Sequence, residues 1–275
     1  MSLPAADFDF VRQLVQKGSA LSLGEGKGYL VEARLAPIAE REGLSSVSEL
    51  VTRLRTGRVA LRDDVIEAMT TNETSFFRDV LPFDALRDVV LPEMCRSRFG
   101  APLRFWSAAA STGQEAYSLA MLMEDNFPLV PKGGILATDL SRDVLARAAH
   151  GTFSQLEVNR GLSAAQLVRH FEREGAGWRI KEQIRRRVEF RQLNLARPWP
   201  SLPPMDIVLL RNVLIYFDSE AKRAVLAQVA RVLAPGGLLF LGGSETTYGL
   251  DESWERMQVG RTSWYRPTET REGQS

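Results

Sequence analysis

Apolar residues in the first part of the chain recur three and four positions apart, the spacing of a helix with one buried face. Phe8, Val11, Leu14 and Val15 form one such face, with Asp7 as the expected N-cap. A second pattern runs from about Tyr29 to Glu42 and stops at Gly43. A third follows Ser46 with Val47, Leu50, Val51 and Leu54, and Leu61 to Met69 makes a fourth. Residues 1–82 are therefore expected to form an all-helical N-terminal domain, residues 83–100 a linker helix, and residues 101–275 a second domain.

From Leu103 the period changes. A short apolar run with Phe105 and Trp106 ends in the small residues Ser107 to Ser111, and an amphipathic helix opens at Gly113. Further strands are expected at Gly134–Asp139, Val188–Leu193, Asp206–Leu210 and Leu238–Leu241, with helices at Ser141–Ala149 and Ser219–Leu233 between them. Strands spaced by helices predict an α/β fold with a parallel, doubly wound sheet. Residues 257–259 and 263–266, flanking Gly260-Arg261, predict an antiparallel terminal hairpin. Residues 151–187 break the alternation and read as an insert, with a helix at Leu162–Phe171 and a β-like run at Trp178–Ile180.

Composition narrows the class. The 275 residues are 44% hydrophobic and 25% charged with a net charge of +1, which fits a soluble globular protein and gives no bulk attraction to nucleic acid. No apolar run is long enough for a membrane span and the N-terminus lacks signal-peptide character, so no membrane insertion and a cytoplasmic location are expected. One cysteine, Cys95, excludes an internal disulfide; with only His150 and His170 beside it no Cys/His metal cluster can form, and no metal is expected. Cys95 itself reads as a core position. Between Arg169 and Arg191 there are eight Arg or Lys against four Glu, either a solvated face or a docking surface for an acidic partner.

The candidate chemistry lies at the strand ends, where ligands of open α/β sheets bind. Gly24-Glu25-Gly26-Lys27-Gly28 imitates a phosphate loop but lies between helices, away from any parallel-strand unit, and reads as a turn. The strand-end set is Ser107 to Gly113 with Glu115, then Asp139, Asn194 and Arg211-Asn212. Asp139 suits ribose hydroxyls, Asn194 an adenine edge, Glu115 an ammonium, and Arg78 or Arg211 a carboxylate. Those are the parts of S-adenosylmethionine. A nicotinamide dinucleotide would also need the Gly-rich pyrophosphate turn, which is absent. As a ligand group rather than a core group, Asp139 is expected to tolerate replacement by Ala with little loss of fold.

Thr70 to Arg78 (Thr-Thr-Asn-Glu-Thr-Ser-Phe-Phe-Arg), Trp106 to Glu115, Ala137-Thr138-Asp139, Arg211 to Phe217 and Pro235-Gly236-Gly237 together resemble the CheR family of chemotaxis receptor glutamate O-methyltransferases. Gln114 and Ala116 depart from the Glu and Pro of many relatives. The resemblance implies a Rossmann-like S-adenosylmethionine-dependent methyltransferase domain with a small inserted β subdomain, preceded by the small helical domain. It implies cofactor contacts from Asn72, Thr74, Arg78, Glu115, Asp139, Asn194, Leu195, Arg211 and Asn212, with Arg78 and Tyr216 orienting groups near the methyl. The implied reaction methylates receptor glutamates and leaves S-adenosylhomocysteine. A non-catalytic adaptor that binds the same cofactor, or a methyltransferase acting on a small molecule, are the alternatives. Expected partners are the cytoplasmic methylation helices of chemoreceptors, met by a monomer. Arg53, Arg55, Arg58 and Arg62 are candidates for steering those acidic helices. The short turn Glu174-Gly175-Ala176-Gly177 leaves little room for a receptor C-terminal pentapeptide tether, so none is expected.

Overall fold

The computed structural model describes residues 3–57, 59–97, 101–130 and 133–268. Two compact units emerge from the contacts, one made of residues 1–71, 194–198 and 216–225, the other of 72–193, 199–215 and 226–275.

The first unit is built on α1 (Ala5–Ser19), α2 (Gly28–Arg41), α3 (Val47–Arg55) and α4 (Val59–Ala68). Their apolar stripes supply its interior, with Val11, Val15, Val31, Leu35, Leu50 and Leu54 fully buried. Ser46 caps α3 as its sequence suggests, its hydroxyl accepting the Glu49 N–H at 3.2 Å. Asp7 does not cap α1. The helix starts two residues earlier behind Pro4, and Asp7 lies in the first turn, where its carboxylate faces the favourable end of the helix dipole and pairs with Arg55 at 3.1 Å. Gly24 to Gly28 forms a turn leading into α2. Three of the four arginines singled out for steering have partners inside this unit. Arg53 pairs with Glu42 at 3.2 Å, Arg55 with Asp7, and Arg62 donates to the Leu54 carbonyl at 3.2 Å; Arg58 lies outside the described residues.

The second unit opens with α5 (Leu81–Ala85), a π-helical turn (Leu86–Val90) and α6 (Leu91–Ser97), so the linker helix carries a π turn at its centre. Val80 stands at the N-cap of this helix, followed by Pro82 in the first turn, where a missing N–H costs nothing. Then come β1 (Phe105–Ala108), α7 (Gln114–Asn126), β2 (Ile135–Asp139), α8 (Arg142–His150), β3 (Thr152–Phe153), α9 (Gln155–Asn159), α10 (Ala164–His170), β4 (Phe171–Glu174), β5 (Gly177–Ile180), α11 (Glu182–Arg185) and β6 (Val188–Gln192). They are followed by β7 (Met205–Leu210), a 3-10 turn (Leu214–Tyr216), α12 (Ser219–Val232), β8 (Leu233–Leu241), β9 (Trp254–Val259) and β10 (Thr262–Pro267).

Seven strands form one sheet in the order β6-β2-β1-β7-β8-β10-β9, parallel through β8, with the terminal hairpin added antiparallel. β1, β2 and β7 are buried along their whole length, as strands covered on both faces must be. This is the Rossmann-like arrangement the alternation predicts, and it aligns the carboxyl ends of β2, β1 and β7 side by side.

The insert is a three-stranded antiparallel sheet, β3-β5-β4, flanked by two short helices that each start with a capping box, Ser154/Glu157 and Ser163/Gln166. The helix expected over Leu162–Phe171 is shorter, because Phe171 turns into β4 and packs edge-on against Phe76 and Phe153. The basic residues of the 169–191 stretch have partners within the second unit. Arg169 and Arg187 pair with Asp125 and Glu124 of α7, Arg185 and Arg186 share Glu182, and the others find a carboxylate, a carbonyl or the Trp178 ring. Cys95 is only partly buried at the edge of the core, and that burial pushes its thiol pKa up.

Candidate functional site

The chain turns from β1 into α7 through six small residues, Ala108 to Gly113. Ala109 (φ 59°), Ser111 (φ 51°) and Gly113 (φ 90°) all adopt left-handed backbone, so the loop is coiled tightly. At Gly113 a Cβ would stand 3.0 Å from that of Ala148 and 3.1 Å from the Phe190 ring, which favours glycine for space as well as for φ.

Two buried carboxylates fix this loop. Asp139, the last residue of β2, accepts the Ser111 N–H at 2.8 Å and the Ser141 N–H at 3.0 Å. Glu115, in the first turn of α7, accepts the Ser107 hydroxyl at 2.8 Å through one oxygen and Arg211 Nη1 at 2.9 Å through the other. The Trp106 indole N–H donates to Thr138 Oγ1 at 2.9 Å, locking β1 to β2 just before the strands end.

Arg211 follows the last residue of β7, and its side chain is 1% exposed. Besides Glu115 it holds Asp79 Oδ2 at 2.7 Å and the Arg78 carbonyl at 2.9 Å, both through Nη2, and its guanidinium lies 5.8 Å from the Phe83 ring centroid. Its buried Nε–H has no acceptor among the described residues. A charge so deeply buried stands only because it is paired, and breaking such a pair typically costs about 3–5 kcal/mol.

The segment that Arg211 grips is strained. Phe77 (φ 46°), Asp79 (φ 66°) and Val80 (φ 46°, ψ −55°) all have positive φ, an outlier for a β-branched valine. Each such residue costs roughly 1–3 kcal/mol and persists only where its surroundings hold it. Here the Ser118 hydroxyl accepts the Phe77 N–H at 2.8 Å and Arg211 takes the other side. Arg78 itself is partly buried and donates Nη1 to the Glu73 carbonyl at 3.0 Å.

Asn72 is exposed and Thr74 partly so; the Asn72 carbonyl accepts the Ser111 hydroxyl at 2.8 Å. Both residues, with Thr112, Gln114, Arg147 and Arg160, line a polar cleft of about 460 Å³ beside the loop. Asn212 is left-handed (φ 58°), which asparagine tolerates, and its N–H donates to Glu245 at 2.7 Å.

The structure thus brings Asn72, Thr74, Arg78, Glu115, Asp139, Arg211 and Asn212 into one unit. Glu115 and Arg211, read from sequence as separate partners for an ammonium and a carboxylate, are first of all partners of each other. Asn194, Leu195 and Tyr216 belong to the first unit. There Asn194 Nδ2 donates to the Gly18 carbonyl at 2.7 Å, capping the end of α1, while its Oδ1 accepts the Ala196 N–H at 2.9 Å. Leu195 is buried, and the Tyr216 carbonyl accepts the Ser22 N–H at 2.9 Å.

Sequence reasoning missed Asp79 and Glu245. Glu245 is buried and accepts the N–H groups of Asn212, Gly242 and Ile215, closing the turn after β7 against the end of β8. No local pattern marks it; a lone acid after Gly242-Gly243 at the end of an apolar strand was the available signal.

Comparison with known proteins adds a second line. The description "CheR methyltransferase, all-alpha domain" matches residues 6–70, and "CheR methyltransferase, SAM binding domain" matches residues 72–262. Chemotaxis protein methyltransferase 1 of Pseudomonas aeruginosa is 44% identical over 97% of this chain and 99% of its own length. Chemotaxis protein methyltransferase Cher2 of Pseudomonas putida is 43% identical over 94% and 96%, and chemotaxis protein methyltransferase 1 of Vibrio cholerae 41% over 91% and 92%.

Proposed function

The chain belongs to the CheR methyltransferase family, and from that premise we propose that it transfers the methyl group of S-adenosylmethionine to glutamate side chains of chemoreceptors in the cytoplasm, giving methyl esters. The observation that carries this reading is the pair of buried carboxylates, Asp139 at the end of β2 and Glu115 in the first turn of α7, on either side of a tightly coiled loop of small residues.

The residues present fit that cofactor. Glu115, Arg211 and Asp79 together carry one net negative charge, suited to a ligand with an ammonium and a sulfonium. The remaining donors of the partly buried Arg78 are available to a carboxylate. Asp139 ends β2 beside the loop, the position from which an acid of such a sheet takes ribose hydroxyls. Asn72, Thr74 and Asn212 complete the contacts in this unit, while Asn194 and Leu195 are assigned to the adenine and Tyr216 to the methyl end by family resemblance.

Bound S-adenosylmethionine supplies an electrophilic methyl on a sulfonium. The acceptor, a glutamate with an ordinary pKa of about 4.3, is already ionised near neutrality, so the protein need provide no general base. With the cofactor held by these residues, a glutamate oxygen would accept the methyl and the sulfur would keep the bonding pair, giving S-adenosylhomocysteine with no proton for the protein to move. The chain's own task is to align the carboxylate and strip its water, with Arg78 and Tyr216 as orienting groups; alignment of this kind supplies roughly 7–11 kcal/mol in well-oriented reactions. The β4–β5 turn of only two residues, Gly175-Ala176, supports recognition without a C-terminal peptide tether.

Incubation of the enzyme with methyl-labelled cofactor and a chemoreceptor cytoplasmic fragment tests the proposal. Label should enter the fragment and be released by mild base, as an ester requires. Base-stable label, or none, would count against it.

A further inference from the structure

We propose that Arg211 is a positioning residue that acts through the backbone of Arg78, coupling occupation of the cofactor site to the geometry of the 77–80 turn. The inference rests on the function proposed above and deepens it. Arg211 Nη1 engages Glu115, the assigned partner of the cofactor ammonium, and Nη2 engages both the Arg78 carbonyl and the Asp79 carboxylate. One rigid, planar guanidinium therefore spans the Glu115 carboxylate and the main chain of the residue assigned to the methyl end.

The turn needs such a tie. Three of its four residues, Phe77, Asp79 and Val80, are held at positive φ, and Arg78 lies between them. Released from Arg211, residues 78–80 would relax toward ordinary backbone, and Arg78 would leave its place. The Ser118 hydroxyl holds the Phe77 N–H at the start of the turn, and the Val80 carbonyl accepts the Phe83 and Asp84 N–H groups at 2.9 and 3.0 Å at its end, so Arg211 is the tie on residues 78 and 79 between them. Asp79, half exposed, contributes the second half of the fork's grip.

The coupling runs in both directions, as linkage requires. A cation at Glu115 competes with Arg211 for that carboxylate and shifts the guanidinium's balance toward Asp79 and the Arg78 carbonyl. Cofactor binding then tightens the turn. A lysine at this position keeps the charge but reaches only one of the three acceptors at a time, which separates position from charge.

The test uses the full-length enzyme and Arg211→Lys, with Asp79→Asn as the milder variant should the first fold poorly. In the wild-type background Arg211→Lys is expected to lower kcat by about thirtyfold or more with receptor KM changed by less than about threefold. In an Arg78→Ala background the same change should lower kcat by less than about threefold, because the residue it positions is gone. A merely structural Arg211 would multiply its effect on both backgrounds alike, and that result overturns the proposal. Hydrogen exchange gives a readout free of turnover. Saturating S-adenosylhomocysteine should slow exchange at the Val80 and Phe83 amides in wild type and not in Arg211→Lys or Asp79→Asn; equal slowing in all three overturns the coupling. If the wild-type enzyme binds S-adenosylhomocysteine but does not methylate receptor, the substrate assignment fails while the exchange measurement still decides the role of Arg211.

Discussion

Asp139 Oδ2 accepts the backbone N–H of Ser111 at 2.8 Å, so the acid that ends β2 also holds the loop that follows β1. The two strands are neighbours in register, and Asp139 makes their ends one unit. Asp139→Ala therefore costs more than a ligand contact. Leaving the Ser111 and Ser141 amides buried without this acceptor is expected to cost roughly 1–3 kcal/mol of stability, in place of the small loss expected from sequence. Melting curves with and without S-adenosylhomocysteine check this: the variant should melt lower and lose most of the ligand-induced rise. Wild-type melting in the absence of ligand would contradict the structural half of the statement.

Glu115→Gln removes a charge that Arg211 relies on. Asp79 remains as a half-exposed partner, so the expected cost is about 2–3 kcal/mol, somewhat below the full penalty of a broken buried pair. The affinity for S-adenosylhomocysteine should fall by about tenfold or more, since a charged acceptor for the ammonium becomes a neutral one. Denaturant titration and calorimetry measure the two effects separately.

A pH dependence follows from Glu157 in the α9 capping box. Burial alone would raise its carboxyl pKa, but the Ser154 N–H and hydroxyl and the Arg147 guanidinium outweigh burial and hold it below the usual range. A depressed folded-state pKa gives stability that is complete above the unfolded value of about 4.3 and is lost as pH falls through the folded value. Wild type should therefore lose a component of stability on acidification below about pH 4.5, and Glu157→Gln should lack that component while being about 1 kcal/mol less stable near neutrality. Melts across this range, compared between the two proteins, test the sign.

The arginines of the first unit lead to a narrower expectation than their sequence suggests. Arg53 and Arg55 each spend part of their charge on Glu42 and Asp7. Reversing both to Glu should raise receptor KM severalfold at low salt, with the effect fading as roughly 0.5 M salt shortens the screening length, and should leave cofactor affinity unchanged. Each lost pair should cost no more than about 1 kcal/mol. Steady-state kinetics at two salt concentrations distinguish steering from a local destabilisation.

The fold was legible where local periodicity decides it. The four amphipathic helices of the first unit, the alternation from β1 to β8 and the terminal hairpin all follow from patterns within a window of ten or fifteen residues. What escaped was set by long-range partners. Nothing near Arg211 announces that it will pair with Glu115, 96 positions earlier, and nothing near Asn194 announces the Gly18 carbonyl, 176 positions away. The π turn at Leu86–Val90 and the left-handed Val80 run against local propensity, and tertiary contacts impose them. The acid at the end of β2 could be read as a candidate because topology puts such a position where open α/β sheets take ligands. Glu245 could not, because its importance lies in three backbone amides it collects from two separate turns.

The central claim, that the strand-end carboxylates serve transfer of a methyl group to receptor glutamates, is tested most directly by tandem mass spectrometry of a chemoreceptor cytoplasmic fragment after incubation with enzyme and S-adenosylmethionine. The account predicts single methyl additions localised to glutamate side chains, abundant with wild type and strongly reduced with Glu115→Gln at equal folded concentration. Methylation on lysine or another residue type, or undiminished glutamate methylation by Glu115→Gln, would contradict it.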